Sequence, residues 1–356
     1  MLSQPQTSNP PEPPAEVEPE SQATTAATTS AGTTKPSALW KGVCWGLLSA
    51  VAYSAANVFL KMSERDGLAP VWVSFVKAIP TVAIYAPLVL WQLKSGKITY
   101  PTRKAFIILA IASVAGHLFG NVAFQWSLGV VGVAMSVPLC LGMLILGGAV
   151  LGRMFLHERI SMQSGISILV LIFAILVLCF GAGEANAAVQ TSQLPGSSWI
   201  VLFGVICACS AGLSYAALGA AIRYGVAGNT SVMMTLVIVC GTGMLALGPL
   251  CLLTPGIAEM QKTTLPQWGI MLTAGVWNAV AFYALTRALK MTNVTFVNSL
   301  NASQTAMAAL AGILFFAEPM TVALGAGLLL TIIGLLIMRR DHGEDHQVEE
   351  HIGETG

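Results

Sequence analysis

Two segments share a pattern that could carry acid chemistry. Phe155-Leu156-His157-Glu158-Arg159-Ile160-Ser161 and Phe315-Phe316-Ala317-Glu318-Pro319-Met320-Thr321 place Glu158 and Glu318 160 positions apart, each after one long apolar run and before the next. A carboxylate there could carry a proton. It could equally sit in the first turn of the helix that follows, where unpaired backbone N–H groups and the positive end of the helix dipole favour an anion. Within the apolar runs the ionisable inventory is short, with no Asp or Glu and with Lys77 and His117 standing out. An ionisable group at that depth is costly unless it faces a cavity or a partner. Lys77 lies near one end of its run, so its stem could snorkel to the interface, or its ammonium could face an anion. His117 lies near mid-depth, where its near-neutral titration suits proton coupling and its neutral form suits an interhelical hydrogen bond.

The most polar apolar run holds Asn298, Ser299, Asn301, Ser303, Gln304 and Thr305. Asn298, Asn301 and Thr305 follow an i, i+3, i+7 spacing with Gln304 adjoining, which places amides along one helix face. Such a face can line a wet cavity or bond a neighbouring helix. Asn121, Trp277 and Asn278 lie at similar depth in other runs, as do Tyr53, Asn57 and Tyr215.

The elements that must position these groups are membrane helices. With 55% hydrophobic and 9% charged residues and a mean hydropathy of +0.74, most of the chain is too apolar for an ordinary soluble domain. Apolar runs long enough to cross a hydrocarbon core of roughly 30 Å fall near 42–61, 71–91, 105–127, 131–151, 162–183, 198–220, 230–252, 268–288, 294–316 and 321–338. In lipid these runs satisfy their backbones as helices, so the fold class is an all-α polytopic membrane protein. Placing the N-terminus in the cytoplasm puts most of the 17 Lys and Arg on the cytoplasmic side, leaving Lys61, Arg65 and Lys262 outside and Lys77 within a span. This is the positive-inside bias, and it assigns both termini to the cytoplasm.

The chain also repeats itself. The register of the Glu motifs continues through Gly165 and Gly325 to Ala174 and Gly334. Tyr53 and Lys61 match Tyr215 and Arg223 at an offset of 162, and Val122-Ala123-Phe124 matches Val280-Ala281-Phe282 at 158. Gly46, Ala50 and Ser54 recur as Ala208, Gly212 and Ala216, a small residue every four positions that lets helix backbones approach. Each unit would hold five spans, an odd number, so the second must insert upside down. The expected organisation is a disordered tail over 1–39, a first repeat over 40–184, an inverted second repeat over 197–340 and a tail over 341–356. The seven cysteines lie in or beside spans without metal-ligand spacing and read as packing residues. His342, His346 and His351 lie in the acidic C-terminal tail, which reads as solvated.

Ten spans, an inverted five-helix repeat, and a Glu that opens the Gly-containing apolar run closing each half together resemble the EamA-type branch of the drug/metabolite transporter superfamily. The resemblance covers about residues 40–340. It implies transport by alternating access, with a cavity enclosed by the third, fourth, eighth and ninth helices. His117, Asn121, Trp277 and Asn278 would join Asn298, Asn301, Gln304 and Thr305 there, with Tyr53 and Tyr215 on the first and sixth helices. His117 and Lys77 are the candidate ion-coupling groups, and Glu158 and Glu318 mark the repeat. The expected partners are a small-molecule solute, the lipid bilayer, a coupling proton and a second copy of the chain, in a bacterial inner membrane. No cofactor, metal or nucleic acid is expected. Nothing matches G-x-x-x-x-G-K-[ST], the only Gly-Lys being followed by Ile98, which disfavours an ATP-driven pump. His157-Glu158 is not followed by an H-E-x-x-H pattern and no aspartates are paired at depth, which disfavours an intramembrane enzyme. A membrane scaffold or lipid-handling protein is the remaining alternative.

Overall fold

A computed structural model describes residues 36–156, 162–189, 198–228, 230–292, 297, 300–301, 303–318, 320–334 and 337. Glu158 and Asn298 lie outside them, as do the N-terminal tail before 36 and the tail from 341. Among the described residues every regular element is helical. Six helices among the described residues are long and apolar enough to cross a membrane, and shorter apolar helices lie at Val133–Gly148, Gly165–Leu178, Gln304–Phe316 and Val322–Gly334. In chain order the first helix is Pro36–Arg65, reaching slightly ahead of the expected boundary, and the second Pro70–Lys94. The third runs over Arg103–Val131, the fourth over Val133–Leu156, the fifth over Met162–Val189 and the sixth over Ser198–Ala227. The seventh is Val232–Leu253 and the eighth Leu265–Met291, with the ninth and tenth carried by Gln304–Phe316 and Val322–Gly334.

Local chemistry fixes where these helices begin. The Thr102 hydroxyl accepts from Ala105 N, Ser231 from Met234 N, and Gln267 Oε1 accepts from Thr264 N in a capping box. Proline stands in the first turn of the second and eighth helices, where its missing N–H costs nothing. Pro80, Pro87, Pro138 and Pro249 lie inside the second, fourth and seventh helices. The outer surface is covered by large apolar side chains such as Leu169, Leu245, Leu253 and Phe180, which suits a protein whose solvent is lipid.

The packing repeats as the sequence does. The first helix packs on the eighth and the sixth on the third; the fourth packs on the sixth and the first on the ninth. The second meets the seventh and the fourth meets the ninth, so each pairing maps onto another, or onto itself, when the halves are exchanged. The relative direction of the halves follows from their ends. Trp72, at the start of the second helix, donates to Thr263 Oγ1 and packs edge-on against Trp268 at the start of the eighth. The eighth helix therefore starts at the face where the first ends. Arg223, at the end of the sixth helix, donates to Leu289 O at the end of the eighth, which is the opposite face. The first and sixth helices thus run in opposite senses, as an inverted repeat requires.

Close approach between the halves depends on the small-residue stripe. A Cβ added at Gly212 would lie 2.2 Å from the backbone oxygen of Cys140, so the sixth helix meets the fourth backbone to backbone. Ala208 and Ala216, one turn to either side, are fully or almost fully buried.

Glu318 is set differently from its expected place in the turn that opens the tenth helix. The ninth helix ends with Ala317 in the left-handed region (φ 53°), and Glu318 N donates to Gly312 O at 3.0 Å. The carboxylate then reaches across to the fourth helix, accepting from Val133 N and Ala134 N, both at 2.9 Å. The anion sits on the orphan donors of a helix start that the second repeat presents to the first. Thr321 caps the tenth helix instead, accepting from Leu324 N at 3.1 Å. Gly132 makes room: it has φ 79°, and a Cβ there would lie 2.7 Å from Glu318 Oε1.

Three substitutions test this packing in the detergent-solubilised protein, read as thermal unfolding. Glu318→Ala leaves two amides of a buried helix start unpaired and lowers stability by about 2–3 kcal/mol. Thr321→Ala, which removes an ordinary cap, costs about 1 kcal/mol. Gly212→Ala forces the fourth and sixth helices apart and costs about 1–3 kcal/mol.

Candidate functional site

The halves enclose one central cavity of about 150 Å³. It is lined from more helices than the third, fourth, eighth and ninth: the first, second, sixth and seventh contribute as well. Lys77, His117, Asn121 and Asn278 meet there, with Tyr53 and Asn57 from the first helix, Tyr215 from the sixth and Asn301 and Gln304 from the ninth.

Lys77 does not snorkel. Its residue is 5% exposed, and Nζ donates to Asn121 Oδ1 at 2.7 Å. Tyr215 OH donates to the same oxygen at 2.8 Å. Lysine has no acceptor, so the Asn121 amide must turn its oxygen to Lys77 and its NH₂ away. The cluster joins the second and third helices of one repeat to the sixth helix of the other. Gly120 allows it, since a Cβ there would lie 2.7 Å from the Tyr215 ring.

His117 and Asn121 stand on a π-helical stretch, Gly116–Val122, within the third helix. Such widened turns recur at functional sites because they re-aim side chains. The His117 Nδ1 lies 2.9 Å from Ser113 O, and a carbonyl can only accept, so Nδ1 carries a proton and Nε2 is the titratable nitrogen. The Ser113 hydroxyl donates to Val239 O on the seventh helix. At Gly243 a Cβ would lie 2.3 Å from His117 Nδ1, so this glycine leaves the space that the ring fills. Ser113 one turn ahead of His117 is a signal that sequence spacing offered, whereas the facing glycine on another helix is not.

On the ninth helix the expected four-residue face does not hold together. Gln304 Nε2 donates to Asn301 Oδ1 at 3.2 Å and both line the cavity. Thr305 is fully buried away from it, and its hydroxyl has no hydrogen-bond partner among the described residues. The helix Gln304–Phe316 starts after a turn at Ser303, so uniform helical spacing does not join Asn301 to Thr305, and Asn298 lies outside the described residues. Trp277 is also misplaced by the sequence reading. It is 38% exposed on the outside of the bundle while Asn278 lines the cavity, because adjacent residues point about 100° apart around a helix. Cys140 and Cys240, read from sequence as packing residues, also line the cavity. Glu318 lies past the end of the ninth helix, on the start of the fourth, and is not among the cavity-lining residues.

The site offers many hydrogen-bond donors and acceptors, one lysine, one histidine and no carboxylate among its described lining residues, set in walls that are otherwise apolar. It can bind and orient a small solute with a polar end and an apolar body. Among its described lining residues no nucleophile is hydrogen-bonded to a base of the kind that would cleave one.

No curated protein matches the chain. A solved crystal structure of a protein shares the fold at a TM-score of 0.58 with 13% sequence identity, over 83% of this chain and 95% of that one. The EamA-like transporter family matches residues 40–180 and 202–340, one match in each half. With its two EamA domains, its all-helical membrane bundle and a central cavity that carries polar groups on apolar walls, the chain belongs to the EamA-like transporter family, whose members move small solutes across membranes.

Proposed function

We propose that the protein is a secondary transporter or facilitator that carries a small metabolite or drug-like solute by alternating access between two inverted five-helix halves. The observation that carries this reading is the composition of the cavity wall: both repeats supply polar side chains to one central space, Lys77, His117 and Asn121 from the first and Tyr215, Asn278, Asn301 and Gln304 from the second. A cavity shared by two rigid halves opens to one side or the other as they rock. The prolines inside the second, fourth and seventh helices supply places where those helices can bend. The positive-inside bias supports both termini in the cytoplasm.

His117 is the proposed coupling group. Its Nδ1 is engaged by Ser113 O, which leaves Nε2 to gain or lose a proton as the solute site changes access.

Uptake by proteoliposomes of a panel of amino acids, nucleosides, sugars and organic acids, with and without a pH gradient, tests both statements. Protein-dependent flux of at least one class is expected. Asn301→Leu with Gln304→Leu lowers it by about tenfold, the equivalent of 1.4 kcal/mol of lost solute binding. No flux of any class, together with unaltered cellular phenotypes in that double variant, favours the scaffold reading. Dependence on the gradient that disappears in His117→Asn, and that is weakened in Gly243→Ala where the added methyl displaces the ring, identifies the coupling group. Gradient-independent flux identifies a facilitator.

A further inference from the structure

The solute site holds a buried cation with no anion to match it. Lys77 is almost fully buried, the described lining residues include no Asp or Glu, and the ion pairs among the described residues, Lys61–Glu64 and Lys262–Glu259, lie elsewhere. The other titratable groups facing the same space are His117, Tyr53, Tyr215, Cys140 and Cys240, none of which is anionic in its ordinary state. An ammonium at this depth is costly unless an opposite charge or a polar cavity compensates it. The described contacts engage Nζ once, through Asn121 Oδ1, so its remaining N–H donors are open to the cavity. The Asn121 NH₂ is turned away from Lys77, and Asn121 lines the cavity.

We infer that Lys77 and Asn121, braced by Tyr215, form the subsite for the carboxylate of a small organic anion. The inference rests on the transport reading above and names the substrate class for that cavity. A carboxylate brings one negative charge and planar acceptors, which one ammonium and one amide NH₂ can meet. A phosphate brings close to two charges and recruits arginine forks or several cations. The described lining holds Lys77 as its one lysine and no arginine. The rest of the solute would lie against the apolar wall, which includes Leu144, Leu218, Ile222 and Val239. Because the cluster spans the second and third helices of one repeat and the sixth of the other, a bound carboxylate would neutralise a charge lying between the two halves.

The test is uptake by proteoliposomes of the full-length protein. The probes are lactate, 2-oxoisovalerate and 3-phenyllactate, each compared with its carboxamide, with phenyl phosphate and glycerol 3-phosphate as phosphate arms and glucose as a neutral arm. At least one carboxylate is expected to cross in a protein-dependent way, and its carboxamide is not. Lys77→Met lowers that flux by at least ~tenfold, the equivalent of 1.4 kcal/mol. Asn121→Asp places a carboxylate of the protein's own beside Lys77 and lowers the flux as strongly, while the unfolding temperature does not fall, which separates a blocked site from a failed fold. Flux of carboxamides, glucose or phosphate esters without flux of carboxylates overturns the inference and leaves the transport reading in place. Carboxylate flux that survives Lys77→Met or Asn121→Asp also overturns it. Absence of flux for every probe and every class in the wider panel removes the transport reading itself, and this inference with it.

Discussion

Hydrocarbon offers a backbone no water, so wherever a helix starts, ends or bends its polar groups must find partners inside the protein. Much of this bundle is organised around that constraint. At the end of the first helix Lys61 Nζ donates to Leu128 O at 2.6 Å, closing the end of the third helix, and Gln125 Nε2 returns a bond to Leu60 O at 2.9 Å. The symmetry-related place in the other half uses Arg223 on Leu289 O. Glu318 on the amides of Val133 and Ala134 does the same for a helix start. Side chains that look like candidates for chemistry are in these cases stitching one helix terminus to another.

Removing those residues from consideration leaves the groups that no helix end requires. Lys77, Asn121 and Tyr215 bond one another rather than a terminus, and Asn301 bonds Gln304. Polar side chains that satisfy each other at the centre of a bundle while keeping capacity to spare are the ones available to a solute.

The helical bundle and its duplication were legible in the sequence because they rest on patterns that are local or strictly periodic: apolar run length, caps, and matched residues such as Tyr53 with Tyr215. Position along the apolar runs singled out Lys77 and His117, and both line the central cavity. Azimuth was not legible. Trp277 and Asn278 share a depth and differ by one step of rotation, and the turn at Ser303 breaks the spacing that had joined Thr305 to Asn301. The π-helical stretch at Gly116–Val122 shifts the third helix in a similar way, and no residue there announces it. The role of Glu318 was half visible. Its chemistry as a cap follows from its neighbourhood to a helix start, but the start it serves is 185 positions away from Glu318 at Val133, a pairing that only the closed bundle creates.

The inverted duplication has a thermodynamic consequence of its own. If the halves were identical, exchanging their roles would convert an outward-facing shape into an inward-facing one of equal free energy, and a resting protein would populate both equally. Divergence between the copies lifts that degeneracy. Where one half closes a helix end with an ammonium that also lies 3.4 Å from Glu64, the other uses a guanidinium. A difference of 1.4 kcal/mol between two such locks would already set a tenfold preference for one facing. Under the proposed alternating access, the small mismatches in an otherwise repeated sequence would set the resting orientation of the protein.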